Sequence, residues 1–523
     1  MMRRISMYKF IKKLGGDNNR DKKNNNGYHH VEKEESIKIY KDIEKNRQYI
    51  QKRFFNCFDL VIREVSLFGS EDKRALIVYL EEMSEKKIVE DDLVSKLTAP
   101  INYNHQIDED EVELVKYNLG INDGQIHKEF KQTVSAILSG NPVIFISGIE
   151  ISFEINLNTL SGRSISEPPT EVVRRGPREG FTESIMTNIS LIRKRIRNCN
   201  LKAEKFEIGK KTNTEVVMVY LSGEADKKIV DILKEKLENI KIESALDSNY
   251  ISECIANQPK TMYPIVFKTE KPDIACAKIL EGRIIIIVDG SPVVLSVPAL
   301  FVEFLQSSED YYIKYYSATL NRYVRYLSLI ITVEFPALYV ALTTFHQELI
   351  PSRLLLSLIG ARTNVPFPQF FETLFMLVAF EIMREAGTRV SKTIGPTISV
   401  IGALILGDAA VRSGIVGNPT VVIVSLTAMT RFVIPAFELE HPIIYMRLFL
   451  LALSGCLGLV GLTCGILIIG SRLVSIRSFG VPYMFPVCPF NINSEKDVAL
   501  RAPMSELKNT QRVLDLKVKK HYL

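Results

Sequence analysis

Residues 443–470 read IIYMRLFLLALSGCLGLVGLTCGILIIG, an apolar run exceeding the roughly 20 residues with which a helix crosses a bilayer. Ser454, Gly458, Gly461 and Gly465 fall on one stripe of that helix, at steps of four, three and four. Small residues so spaced let a second helix approach closely, so this face is expected to pack against another helix. Outward from here, PTVVIVSLTAMTRFVIPAF (419–437), TIGPTISVIGALILGDAAVRSGIVG (393–417) and YVRYLSLIITVEFPALYVALTTFH (323–346) read as further spans. Asp408 and Arg412 in the second of these are four residues apart and can neutralise one another.

The average composition hides this segment. The 523-residue chain is 46% hydrophobic and 24% charged, with a net charge of +6 and no Trp. Arg325 to Gly470 holds about 17 charged residues, roughly 12% of that stretch against roughly 29% of the rest. One part is built for water and the other for an apolar solvent. Collagen, a disulfide mini-scaffold and a wholly disordered chain are excluded. The mild net charge gives no reason to expect a nucleic-acid partner.

Two segments are ambiguous. IIIIVDGSPVVLSVPALFVEFL (284–305) carries turn chemistry at Asp289–Pro292, so it reads as a buried strand, a turn and a short interfacial helix rather than a span. VPFPQFFETLFMLVAFEIMREAGTRV (365–390) has two readings: an interfacial helix held by salt bridges, or a helix dipping into the membrane with carboxylates on an aqueous ion path. Under the second, Glu372, Glu381 and Glu385 are ion-path or gate candidates, and Asp408 is a weaker one. The expected count is four spans plus this one re-entrant or interfacial helix. Arg322 and Arg325 before the first span and a basic tail after the last put both termini in the cytoplasm.

The fold class expected is an α+β cytoplasmic domain of two α/β lobes followed by an α-helical integral membrane domain. Residues 1–35 are a basic, Asn/Lys-rich tail with no signal-peptide core. Residues 36–160 form lobe one, 161–310 a linker and lobe two, 311–470 the membrane domain, and 471–523 a C-terminal tail. The linker, SGRSISEPPTEVVRRGPREGFTES (161–184), is extended by its prolines and dense in charge. Glu171, Arg175, Arg178 and Glu179, with Arg384 and Arg389, are candidates for coupling or oligomer contacts through Arg–carboxylate pairs. Seven scattered cysteines argue against a disulfide framework. H-E-x-x-H, Walker A, G-x-S-x-G and C-x-x-C are all missing, so no enzyme, cofactor or metal is expected.

EPPTEVVRRGPREGFTE, TNISLIRKRIR, EGRIIIIVDGSP, EDYY, PALYVALTTFHQELIP, VPFPQFFETL, FEIMREAGTRV and SFGVPYMFP together resemble the A subunit of GerA-type spore germination receptors, in consistent order from about residue 40 to 505. The resemblance implies a protein of the inner spore membrane with a two-lobed cytoplasmic domain. It implies partners, a permease-like B subunit and a lipoprotein C subunit, in a complex that senses nutrients and triggers ion release. It also implies a homo-oligomer of A subunits forming a ligand-gated ion channel, with nutrient recognition mainly in B. Residues 390–392 read Val-Ser-Lys where the family commonly has a Pro, Asp408 stands where a neutral residue is commoner, and residues 1–35 have no counterpart. A secondary transporter, which predicts internal repeats not evident here, and a non-conducting scaffold are the other readings.

Overall fold

The computed structural model describes residues 37–69, 73–81, 83, 89–99, 111–120, 125–156, 167–168, 171–256, 261–389, 404–490 and 497–507. The expected N-terminal tail, residues 390–392 and the end of the C-terminal tail lie outside these.

Lobe one begins with helix α1 (Ile43–Arg53), capped by the Asp42 carboxylate on the Glu44 N–H. Strands β1 (Leu60–Ser66) and β2 (Arg74–Leu80) follow, then helices α2 (89–98) and α3 (Glu111–Leu119). The lobe closes with β3 (Ile126–His127), α4 (Phe130–Leu138), β4 (Val143–Ile146) and β5 (Ser152–Glu154). The five strands form one antiparallel sheet in the order β1-β2-β4-β5-β3. Alternate residues serve opposite faces. Leu76, Val78 and Phe145 pack with Ile50 and Phe130 on one side, while Ile77, Tyr79 and Ile144 pack with Leu93 and Val115 on the other.

Lobe two repeats that plan. It runs α5 (Ile185–Arg195), β6 (Leu201–Ile208), β7 (Thr214–Leu221), α6 (Lys227–Glu238), α7 (Ser248–Ile255), β8 (Phe267–Thr269), α8 (Pro272–Leu280), β9 (Ile284–Val288) and β10 (Val294–Val297). Its antiparallel order β6-β7-β9-β10-β8 is the order of lobe one, strand for strand. The sequence shows no repeat here, yet both lobes run α-β-β-α-α-β-α-β-β. The run IIIIV of β9 is buried throughout because helices cover both sheet faces. Residues 284–305 therefore form strand, turn, strand and a 3-10 turn (Phe301–Leu305), all within lobe two and none of it a span.

The lobes meet at a buried ion pair. Arg193 of α5 grips the Asp59 carboxylate with both Nε and Nη2, the latter at 2.8 Å, and both side chains are at most 2% exposed. Beside them, Ala203 exchanges backbone hydrogen bonds with Asn56 and Phe58, joining the edge of the second sheet to the chain entering β1.

After the short helix α9 (Glu309–Tyr312) comes the helical half: α10 (Tyr315–Phe345), α11 (Ser352–Gly360), α12 (Gln369–Arg389) and α13 (Asn418–Arg431). Among the described residues, two helical segments are long and apolar enough to cross a membrane, Tyr315–Phe345 and Phe437–Ser475; four spans are not established. The second is not one straight rod. Gly458 adopts φ 60°, ψ −136°, a conformation open essentially to glycine alone, and the chain turns back on itself there. A side-chain carbon at Gly461 would overlap the Leu453 carbonyl, and one at Gly465 would meet the Leu450 side chain. In a straight helix residues 453 and 461 lie about 12 Å apart. The segment is therefore a helical hairpin of α14 (440–457) and α15 (459–475), and this corrects the single span read from residues 443–470.

Below the hairpin the chain returns to lobe two. Ser478 Oγ accepts from the Ala299 N–H and donates to the Ile265 carbonyl, and the Tyr483 carbonyl accepts from Phe301 N–H. Arg322 and Arg325 are also drawn inward. Both contact Asp310, at 3.2 and 2.7 Å, and Arg322 reaches Asp497. They are buried ion-pair partners rather than free charges at a span end.

Candidate functional site

Three helices converge on Glu381. Its carboxylate accepts from Arg384 on the next turn of α12 (3.0 Å), from Arg431 at the end of α13 (2.8 and 3.0 Å) and from Arg447 in α14 (2.6 Å). Arg384 and Arg431 also contact Glu440, the first residue of α14. Arg431 and Arg447 are 7% and 1% exposed, so the charges are largely withdrawn from solvent. Breaking a buried pair by removing one partner typically costs 3–5 kcal/mol. The cluster thus locks α12, α13 and α14 to one another. Beside it lies a groove of about 580 Å³, lined by apolar Leu377, Ile382 and Leu448 and by Glu385 and His441.

Glu372 sits elsewhere. Its side chain is fully buried, accepts the Gly417 N–H at the start of α13 (2.7 Å) and lies 3.2 Å from Arg362. Glu372 and Glu381 therefore do not share one site. Asp408 pairs with Arg412 at 2.8 Å on an exposed surface. Glu385 is exposed in the groove wall, and the side chain of Arg389 lies outside the described residues. Ser454, Gly458, Gly461 and Gly465 are all buried, forming the seam inside the hairpin and against the Phe345–His346 end of α10.

The linker is docked on lobe two. Glu171 accepts from Thr269 Oγ1 (2.8 Å) and from the Glu270 N–H (3.0 Å). Burial, opposed by these two hydrogen bonds, pushes its carboxyl up to about 7. Glu179 pairs with Arg195, Arg178 reaches Glu167 at 3.9 Å, and Arg175 is exposed. The linker candidates and Arg384 are not brought together in one chain.

Sequence reasoning missed Arg447, Glu440 and Asp310. Arg447 carried a usable signal, a lone cation inside an apolar run, where ionisable groups mark functional positions. Among the described residues no group of three or more His, Cys, Asp or Glu is placed to hold a metal ion.

Two α/β lobes of one topology, followed by a helical region with two segments apolar enough to cross a membrane and a charge cluster among its helices, define the class of architecture. The chain belongs to the Bacillus/Clostridium GerA spore germination protein family, whose model matches residues 48–513. It is 40% identical over 474 residues to spore germination protein KA of Bacillus subtilis (strain 168), covering 90% of this chain and 86% of that one. It is 38% identical to the uncharacterized membrane protein YfkQ of the same strain, over 89% and 90% of the two chains. Spore germination protein GerLA of Bacillus cereus is 35% identical over 88% of this chain and 93% of its own. Among solved structures, the N-terminal domain of the A subunit of the Bacillus megaterium spore germinant receptor GerK3 matches at 29% identity and a TM-score of 0.41, covering 51% of this chain and 98% of that one.

Proposed function

We propose that this chain is the A subunit of a nutrient germinant receptor in the inner spore membrane, working with a permease-like B subunit and a lipoprotein C subunit. It is a non-enzymatic subunit, and several copies surround a gated cation path. Family membership supports the germination role. The Glu381 cluster carries the mechanistic part. A carboxylate shared by three arginines on three helices can exchange partners, so it suits a bundle that switches between two packings. Nutrient binding by the partner subunit biases that switch, and the lobes on α10 hold the oligomer together.

The return of residues 476–490 to lobe two, with Asp497 against Arg322 near the foot of α10, supports an even number of crossings, with both ends of the membrane domain on the cytoplasmic side. Spores carrying Glu381→Gln, with normal levels of all subunits, should release cations and germinate at an altered rate. Unchanged germination would remove Glu381 from the pathway. A non-conducting scaffold is the second reading, favoured by the pairing of both Glu372 and Glu381 with arginines. It predicts no conductance from the intact complex.

A further inference from the structure

We propose that Arg174, Arg175 and Arg178 of the inter-lobe linker form a binding surface for anionic phospholipid headgroups, at the level where α10 enters the bilayer. This rests on the membrane reading above. The three arginines are exposed, with the Arg178 side chain 69% so. They do not hang on a loose loop. The Arg174 and Arg175 N–H groups both donate to the Glu309 carboxylate at the start of α9. Gly176 lies against the Tyr312 ring, so closely that a side-chain carbon there would sit 2.7 Å from it. The Tyr312 hydroxyl in turn donates to Asp273 at 2.8 Å. The linker is therefore fixed to the foot of α10, three residues before that helix begins.

The outer face of α10 marks the depth. From its foot the exposed large residues run Tyr315, Tyr316, Leu320, Tyr323, Val324, Leu327 and Ile330, and Phe345 is exposed at the far end. The exposed tyrosines end at Tyr323 and aliphatic residues follow through Ile330. Tyrosines gather at the headgroup level of a bilayer, and aliphatic side chains face its hydrocarbon. Tyr315 to Tyr323 rises about 12 Å along the helix. The linker arginines lie at the water side of this belt, where phosphates sit, and exposed Lys314 adds a fourth cation. The nearby acids offset them only in part. Asp273 is turned inward, its side chain 7% exposed and bonded to Tyr312, Glu309 holds the linker backbone rather than a guanidinium, and Glu167 reaches Arg178 only at 3.9 Å across an exposed gap. Each such cation near an anionic surface favours lipid contact about fivefold, so the three arginines together are worth at most roughly 100-fold.

Because the chain has no Trp, Val172→Trp in the full-length protein would give a single reporter at an exposed linker position. The protein is reconstituted into phosphatidylcholine vesicles containing equal amounts of headgroup-spin-labelled phosphatidylglycerol or phosphatidylcholine. Labelled phosphatidylglycerol should quench several-fold more, and the preference should fall in high salt and vanish in R174Q/R175Q/R178Q. Equal quenching by the two lipids overturns the proposal. So does no quenching by either, together with crosslinking between copies through Arg178→Cys, which would assign the surface to a neighbouring subunit. Leu327→Trp, tested separately with acyl-brominated lipid, keeps the two readings apart: no quenching there means that the membrane reading itself has failed.

Discussion

Removing Asp59 should loosen the joint between the lobes more than removing Asp59 and Arg193 together. The Arg193 guanidinium is 1% exposed and makes two contacts with Asp59 and one with the Leu201 carbonyl. In Asp59→Ala the cation stays buried with its counter-charge gone, a loss of about 3–5 kcal/mol. In Asp59→Leu/Arg193→Met no charge remains to be desolvated, so stability should stay within about 1 kcal/mol of the parent. The two lobes together are of a size at which 1 kcal/mol shifts Tm by about 2–4 °C, so Asp59→Ala should lower the unfolding transition by roughly 10 °C. Thermal unfolding of the purified full-length protein in detergent, followed by circular dichroism, reads this directly. Cys57 gives a second reading. Burial, partly offset by the Arg193 charge, raises its thiol pKa, and opening the joint should speed its alkylation. Equal transitions for the single and double variants would show that the ion pair does not hold the joint.

The hairpin predicts that Gly461→Leu destabilises the helical half by at least about 1–3 kcal/mol, since the side chain would run into Leu453. Gly470→Leu, with open space around it, should leave detergent resistance unchanged, and equal effects would contradict the hairpin. Glu171 gives a pH dependence. Its carboxyl titrates near 7 when folded against about 4.5 when free, so the folded state holds the proton longer. The associated stability is fully present below about pH 4.5 and is lost as pH rises through about 7. Glu171→Gln should therefore match the parent near pH 5 and exceed it near pH 8 by about 1–2 kcal/mol, the value discounted for partial exposure. Parallel stability–pH curves for the two proteins would rule this out.

The sheets were legible where apolar runs are long. RALIVYLEEM, TEVVMVYLSG and GRIIIIVDGSP announce β2, β7 and β9, each covered on both faces. LKAEKFEI, which forms β6, gave little sign of a strand because it lies at a sheet edge with half-exposed polar residues. The repetition of the lobe was hidden for a similar reason: topology repeats through strand order, while the core tolerates many apolar choices. The glycine stripe of residues 454–465 announced a helix packed close by, but periodicity could not say that its partner was the same segment turned back. That depends on one residue, Gly458, in a conformation without a pattern of its own. In the charge cluster, α12 supplied Glu381 and Arg384 at visible spacing. Their partners Arg431, Glu440 and Arg447 come from helices 50 or more residues away, and only folding brings them together.

The most direct test of the proposed role is electrical. The full-length chain would be purified with the proposed B and C subunits and placed in a planar bilayer, and current recorded before and after nutrient is added. A gated cation path through the complex gives unitary cation currents that appear with nutrient and whose amplitude or open time changes in Glu381→Gln. An assembled, nutrient-binding complex that passes no current would contradict it.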